Sequence, residues 1–357
     1  MRIGIDISPI IYGTGVSTYT KNLVKGLVQY CKKDQLVLFG GSLRRRGELV
    51  SFANALGNGV EKKFYYLPPT LADYLWNRKH VVNIETLTGD LDIFHSSDWA
   101  QPPTRAFSVT TMHDMSPFTH PESMHPKIVS AHKARLKWVI KEVDYAIVPS
   151  KVTASVLSKM GYPSNKIRVI YEAPDPLIKK KSPKIVKRVK DKYQIDKYLL
   201  SVGVGSRKNT DRTISAYNSL NNDKLQLVIV GKKWGDYKDN KKVLFLGHID
   251  INDLSALYSG AEALLYPSLD EGFGLPILEA FVCECPVITS NISSMPEVAG
   301  DAALLVNPLK VEDIASGIKK ALKQRDELIK KGKERLKLFS WEKTAKETYK
   351  IYEESIK

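Results

Sequence analysis

The sequence predicts an α/β protein made of two consecutive, doubly wound parallel-sheet domains. Three observations carry this. At 357 residues the chain exceeds the roughly 250–300 residues at which a single core stops growing. Short apolar runs alternate with helical patterns through both halves, as parallel strands covered on both faces require. Between the halves, APDPLIKKKSP (Ala173–Pro183) carries three prolines and no period, and reads as a linker.

In the first half the strand candidates are Arg2–Ser8, Leu36–Phe39, Asp92–His95, Phe107–Met112, Tyr145–Val148 and Ile167–Ile170. Helical spacing covers Val16–Tyr30, Lys127–Glu142 and Lys151–Met160. In the second of these, Ile128, Leu136, Val139, Ile140 and Val143 form an apolar stripe, with Lys133, Lys137 and Lys141 among the polar positions. After the linker, strands are expected at Tyr198–Val202, Leu225–Val230, Val243–Leu246, Ala263–Tyr266, Val287–Thr289 and Ala303–Val306. Helices are expected at Asn209–Asn221, Ile251–Ser259, Pro276–Cys283, Val311–Phe339 (as two) and Trp341–Ile356. Ligands of such sheets sit beyond the carboxyl ends of the strands, so a cleft between two such domains is the expected site.

Composition narrows the class. Hydrophobic residues make up 43% and charged residues 26%, which excludes bulk disorder. No apolar run approaches the roughly 18 residues needed to span a bilayer. MRIGIDISPII lacks the long apolar stretch of a signal peptide. Three cysteines (Cys31, Cys283, Cys285) make no disulfide framework and fit a reducing cytoplasm. Lys and Arg number 54 against 39 Asp and Glu, a net +15 that favours anionic partners. The excess concentrates in Lys179–Lys197, with smaller clusters at Arg44–Arg46 and Lys127–Lys141. Anionic membrane at the inner face is one partner for these clusters; a solvated lysine-rich helix over Lys184–Lys192 explains them equally well. A nucleic-acid groove would interleave aromatics with the cations, and Lys179–Lys197 has only Tyr193, so no nucleic-acid partner is expected.

The richest chemical segment is PSLDEGFGLPILEAFVCECPV, from Pro267 to Val287. Gly272 and Gly274 flank Phe273 in a tight turn, and Pro276 suits the first position of the helix that follows. Free amides at a helix start attract anions. Glu271 precedes the turn and Glu279 lies eight residues later. Two carboxylates that accept from hydroxyls, with amides for a phosphate, suit a nucleotide sugar. An ordinary strand–turn–helix with two solvated glutamates fits the spacing as well. SVGVGSRKNT (Ser201–Thr210) places Arg207 and Lys208 past a strand's carboxyl end, where a fork and a point charge can hold a diphosphate. Lys208 stands where a dinucleotide fingerprint needs its third glycine, which disfavours a nicotinamide site. Gly13-Thr14-Gly15 follows the first strand and permits close approach of backbone to a ligand, though a plain tight turn explains it too. His113 follows the Phe107 strand; as a neutral imidazole it could bond a sugar hydroxyl, or it could simply be satisfied in its loop. His120 and His125 lack metal-site spacing. Asp90-Leu91-Asp92 opens a strand rather than binding metal. Cys283 and Cys285 read as small buried residues.

Taken in order, RIGIDISPI with GTG, TMHDMSPFTHPE, DYAIVPSKVTASVL, RKN after SVG, DEGFGLPILEAFVCECPV and FSWEKTAKETYKIY carry a family likeness over nearly the whole chain. The chain resembles the family-four retaining glycosyltransferases of the GT-B fold, and most closely their mannosyltransferase-like bacterial branch. The resemblance implies two Rossmann-like domains facing each other across a cleft. The N-terminal, acceptor-side domain would comprise 1–175 plus 341–357, and the nucleotide-sugar domain 176–340. It implies Glu271 on donor-sugar hydroxyls, Glu279 on the ribose, and Phe273, Gly274 and Leu275 offering amides to sugar and diphosphate. Arg207 and Lys208 would hold the diphosphate, His113 would stand beside the donor sugar, and Gly13 and Gly15 would form the loop beneath the diphosphate. It further implies no cofactor or metal, a nucleoside diphosphate sugar as donor with GDP-mannose among the candidates, and a glycan or lipid-linked acceptor. The chain departs from the family at Gly205-Ser206, where Glu-Pro is common, and at Glu284, where glycine is common. A sugar-nucleotide epimerase on the same fold is the competing enzyme reading.

Overall fold

The computed structural model describes residues 1–57, 59–232 and 241–355. The chain divides into two compact units, Met1–Glu172 with Ser340–Lys357, and Ala173–Phe339. Ile356, the expected end of the last helix, and Lys357, the expected end of the N-terminal domain's second segment, lie outside the described residues.

In the first unit the strands are β1 (Arg2–Asp6), β2 (Gln35–Gly41), β3 (Val60–Tyr65), β4 (Ile93–Ser96), β5 (Phe107–Thr111), β6 (Tyr145–Val148) and β7 (Ile167–Val169). Among the described residues they form one parallel sheet in the order β3-β2-β1-β4-β5-β6-β7. The second unit holds β8 (Tyr198–Val202), β9 (Gln226–Val230), β10 (Val243–Gly247), β11 (Leu264–Tyr266), β12 (Val287–Ser290) and β13 (Leu304–Val306). These form a parallel sheet in the order β10-β9-β8-β11-β12-β13. Strand order reverses between β1 and β4 in one sheet and between β8 and β11 in the other. Such switch points open a crevice at the carboxyl ends of the strands.

Near-continuous apolar strands make this possible. Ile3, Ile5, Leu36, Leu38, Ile93, Val109 and Ile147 pack with Leu23, Val24 and Leu27 of the helix Gly15–Tyr30. Leu199, Leu227, Ile229, Leu265 and Ile288 pack with Ile314, Ile318 and Ala321 of the helix Val311–Lys323. Strands buried on both faces read this way.

The helix Trp341–Glu354 belongs to the first unit. It crosses the helix Gly15–Tyr30 so closely that a Cβ on Gly26 would stand 2.5 Å from the Ala345 Cβ. Tyr352 Oη bonds His95 Nδ1 at 2.6 Å, and Thr344 Oγ1 donates to the Tyr171 carbonyl at 2.7 Å. Gly26→Ala would therefore part the two helices.

Differences from expectation are local. The strand β3 and the helix Arg46–Ala55 are not among the expected elements. In β3 the buried Val60 and Phe64 are interleaved with Glu61, Lys62 and Lys63, the charged pattern of an edge strand. The helix Arg46–Ala55 opens inside the arginine cluster, which masked its start. The helix after the glycine turn begins at Leu275, so Pro276 is its second residue, not its first. Val311–Phe339 breaks at Gln324 into Val311–Lys323 and Arg325–Leu336.

Candidate functional site

The second unit's switch point gathers the charged residues. Past β8 the backbone turns at Gly203 (φ +94°) and Gly205 (φ +127°), and reaches Arg207 and Lys208 before the helix Thr210–Asn218. Gly203 must be glycine for a second reason. A Cβ there would stand 2.9 Å from the Lys208 side chain, which passes over it. Asn209 pins the loop by donating to the carbonyls of Pro267 (3.0 Å) and Pro308 (2.7 Å). The Leu269 amide donates to the Arg207 carbonyl at 2.9 Å and ties this loop to the one after β11.

Past β11 comes the turn Leu269–Gly274. Ser293 and Ser294 staple it: the Ser294 hydroxyl contacts the carbonyls of Glu271 (2.9 Å) and Phe273 (2.7 Å), and the Glu271 amide donates to Ser293 Oγ at 3.2 Å. Gly274 (φ +112°) caps the helix Leu275–Val282 in a conformation an L side chain resists. Phe273 is buried, with Phe339 edge-on at 5.9 Å.

Between these loops lies a compact ionic group. The Glu271 carboxylate, 7% exposed, accepts from Arg207 Nη1 at 3.0 Å and from Lys208 Nζ at 2.6 Å. Lys208 also reaches Tyr266 Oη at 2.9 Å, and Arg207 Nη1 donates to the Asp270 carbonyl at 2.7 Å. Burial works against ionisation of Glu271, but Lys208 and Arg207 outweigh it and pull the carboxyl down to about 2. The cations expected to meet a diphosphate thus contact the acid expected to meet the sugar.

Glu279, one turn into the helix, has a different setting. Its carboxylate accepts from the Tyr258 hydroxyl at 2.8 Å. Burial pushes the carboxyl up to about 7; Tyr258 lowers it, and the nearby Asp175 raises it.

The first unit places the remaining candidates by its own switch point and the adjacent strand. Gly13 (φ +67°) has open space where a Cβ would be, and Gly15 starts the helix Gly15–Tyr30. His113 follows β5, and its Nδ1 lies 2.8 Å from Glu172 Oε1. Burial alone would lower the imidazole; the bond and charge of Glu172, with Asp98, win and hold it above its ordinary value. The bond to Glu172 thus favours the charged ring over the neutral one. A cavity of about 470 Å³ opens at the β1/β4 switch point, lined by Asp6, Tyr12, Trp99, Asp73, Arg78 and Lys127 among others.

Other sequence candidates take structural parts. The Asp92 carboxylate accepts the Arg2 amide at 2.6 Å, and Asp90 pairs with Arg105 at 2.7 Å. Cys31, Cys283 and Cys285 are buried thiols. In the basic run, Lys180 pairs with Glu284 and Lys192 with Asp253, while Tyr193 donates to Asp253 at 2.7 Å. No helix among the described residues is long and apolar enough to cross a membrane.

Sequence reasoning missed Tyr258, Tyr266, Asn209, Ser293, Ser294 and Glu172. Each acts through a contact many residues away. The one local signal was a lone acid, Glu172, in the otherwise uncharged stretch Val169–Pro174.

Comparison with known proteins identifies the family. Residues 13–176 match the family model "Glycosyltransferase Family 4", and residues 184–336 match "Glycosyl transferases group 1". The chain is 30% identical to the O-antigen chain mannosyltransferase B of Escherichia coli, over 99% of each chain. It is 33% identical to the O-antigen chain mannosyltransferase RfbU of Salmonella typhimurium, over 58% of this chain and 59% of that one. In fold it is similar to Anabaena HepE, solved with UDP and glucose, at a TM-score of 0.70 and 14% identity, covering 99% of this chain and 100% of that one. These relatives do not favour an epimerase. Related along its full length to a sugar-transferring enzyme, and built on two GT-B-type sheets, the chain belongs to the family-four glycosyltransferases.

Proposed function

We propose that this glycosyltransferase moves a hexose, mannose first among the candidates, from a nucleoside diphosphate sugar to a glycan or lipid-linked acceptor with retention at the anomeric carbon, in the assembly of a surface polysaccharide. GDP-mannose is the first donor to try. The observation that carries the reading is the Glu271–Arg207–Lys208 group at the head of the helix bearing Glu279.

On this reading the diphosphate takes Arg207 and Lys208 from Glu271, and Glu271 turns to accept from the sugar's hydroxyls. Glu279 accepts from the ribose, and the amides of Phe273, Gly274 and Leu275 serve the sugar and diphosphate. The backbone at Gly13 and Gly15 leaves room for the ligand, and His113 is assigned to the donor sugar. The bond from the anomeric carbon to the phosphate oxygen breaks with its electron pair on the diphosphate. The acceptor oxygen bonds the same face, and its proton passes to the departing phosphate. Arg207 and Lys208 stabilise the charge that grows there, the part a metal plays elsewhere.

The cavity of about 470 Å³ in the first unit is proposed for the acceptor. Tyr12 and Trp99, 5.7 Å apart, offer faces to a sugar ring, and Asp73 with Arg78 offers polar partners. Lys184, Lys187 and Arg188 remain exposed and suit peripheral contact with anionic membrane at the cytoplasmic face. Co-sedimentation with vesicles with and without anionic lipid checks this, and equal pelleting would remove it.

A thermal-shift screen of nucleotide sugars tests the donor, followed by NMR assignment of the product anomer. GDP-mannose should raise Tm and give an α-mannoside. Inversion of the anomeric centre, or no stabilisation by any nucleotide sugar, would overturn the reading.

A further inference from the structure

We infer that Glu172 is the positioning residue of the histidine site: its carboxylate takes the Nδ1–H of His113 and presents the ring as an imidazolium whose Nε2–H donates to a substrate oxygen. The argument begins with the chain. Glu172 follows β7 and is the last residue of the first unit's leading segment, while His113 follows β5 two strands away. The sheet order brings them together across the end of β6. Glu172 is 5% exposed, and among the described residues its side chain bonds only His113, at 2.8 Å. A carboxylate withdrawn from water beside a single imidazole is best compensated when that imidazole carries charge.

The ring is held on a second side as well. Tyr19 meets it edge-on, with centroids 4.3 Å apart and planes at 78°, and Tyr19 Oη is itself fixed by Thr111 Oγ1 at 3.2 Å. Rotation of the imidazole would break the Glu172 bond and collide with Tyr19. With Nδ1 occupied, Nε2 has no hydrogen-bond partner among the described residues. It is the edge left for a ligand.

The other ionisable groups near the ring come from several elements. Asp98, past β4, favours the charged imidazole. Arg135, from the helix Pro126–Glu142, opposes it, but Arg135 stands 3.5 Å from Asp98 and the two largely offset each other. His95 on β4 is buried, bonded by Tyr352 and Thr111, and pushed down to about 3, so it adds no charge. Asp6 is engaged by Ser8 and Ser97. Glu172 is left as the decisive partner. An imidazolium can meet a phosphate oxygen as well as a hydroxyl oxygen, whereas the neutral ring with Nδ1–H on Glu172 could only accept at Nε2.

The inference rests on the transferase reading only for the identity of the substrate. The experiment therefore starts without one. Histidine ring signals of the full chain are followed by NMR from pH 5 to pH 9, with His113→Gln supplying the assignment. His113 should titrate above the ordinary value of about 6.5. In Glu172→Gln, which keeps an acceptor but loses the charge, the midpoint should fall by about one pH unit or more. In turnover assays the alkaline limb of the kcat profile should move down by the same amount. Titration of wild-type His113 at or below the ordinary value, or no displacement in Glu172→Gln, would overturn the inference. Should Glu172→Gln fail to fold, the wild-type titration decides alone. Loss of the transferase reading leaves this titration intact, and a failed titration in an active enzyme removes only the role of Glu172.

Discussion

Glu271 and Glu279 lie eight residues apart on one turn and helix, yet their surroundings are opposite. Glu271 is wedged between a guanidinium and an ammonium and is ionised down to about pH 2. Glu279 has a phenol for company and releases its proton only near pH 7. Burial pushes both carboxyls in the same direction, so the cations make the difference. Motif spacing treats the pair as equivalent. The structure makes one a permanent counter-ion and the other a group whose charge depends on pH and on what binds.

The largest test of this contrast is Lys208→Ala. It should remove about 2–4 kcal/mol of transition-state stabilisation, a loss in kcat on the order of 100-fold. Turnover within threefold of wild type in a folded variant would detach Lys208 from the chemistry.

Glu271→Gln comes next. It leaves two cations facing an amide and should cost about 1–3 kcal/mol of stability by chemical denaturation. Its pH signature is specific. Because the folded pKa lies below the unfolded one, Glu271 contributes stability that is present above about pH 4.5 and lost as pH falls towards 2. Glu271→Gln should flatten that acid limb.

Glu279 carries the opposite sign. Its folded pKa lies above the unfolded one, so its contribution falls as pH rises from about 4.5 to about 7. Ligand affinity should run the other way, because ribose hydroxyls need the ionised acceptor. Nucleotide-sugar binding by calorimetry should tighten from pH 6 to pH 8. Glu279→Gln should bind about tenfold more weakly and lose that step. The smallest effect belongs to Tyr258→Phe, which should cost about 1 kcal/mol of stability. It should also move the midpoint of the affinity step upward, because Tyr258 favours the ionised form. A midpoint that stays put would show that the hydroxyl does not reach the carboxylate in solution.

Much of this molecule was readable from periodicity. Tyr145–Val148 and Tyr198–Val202 have the expected bounds, because both are largely apolar runs set between a charged residue, Asp144 or Lys197, and a breaker, Pro149 or Gly203. The strand β3 was hidden because an edge strand needs only one apolar face, and Glu61, Lys62 and Lys63 broke the run. At the site, Arg207, Lys208, Glu271 and Glu279 lie in two short segments whose glycines and charges are local signals. Their partners are not local. Tyr266 meets Lys208 over 58 positions and Tyr258 meets Glu279 over 21, distances that only the folded sheet closes. Spacing also could not show that Glu271 would pair with both cations, because it says nothing of where side chains point.

The helix Trp341–Glu354, packed on the helix Gly15–Tyr30 at Ala345 and bonded to β4 through Tyr352, carries an implication for synthesis. On the ribosome, the segment 173–339 emerges with everything its own core needs while the earlier segment still lacks a wall. The part of the protein made first is therefore completed last. A nascent chain stalled before residue 341 should leave the face around Gly26 uncovered and open to chaperones, with the second sheet already formed.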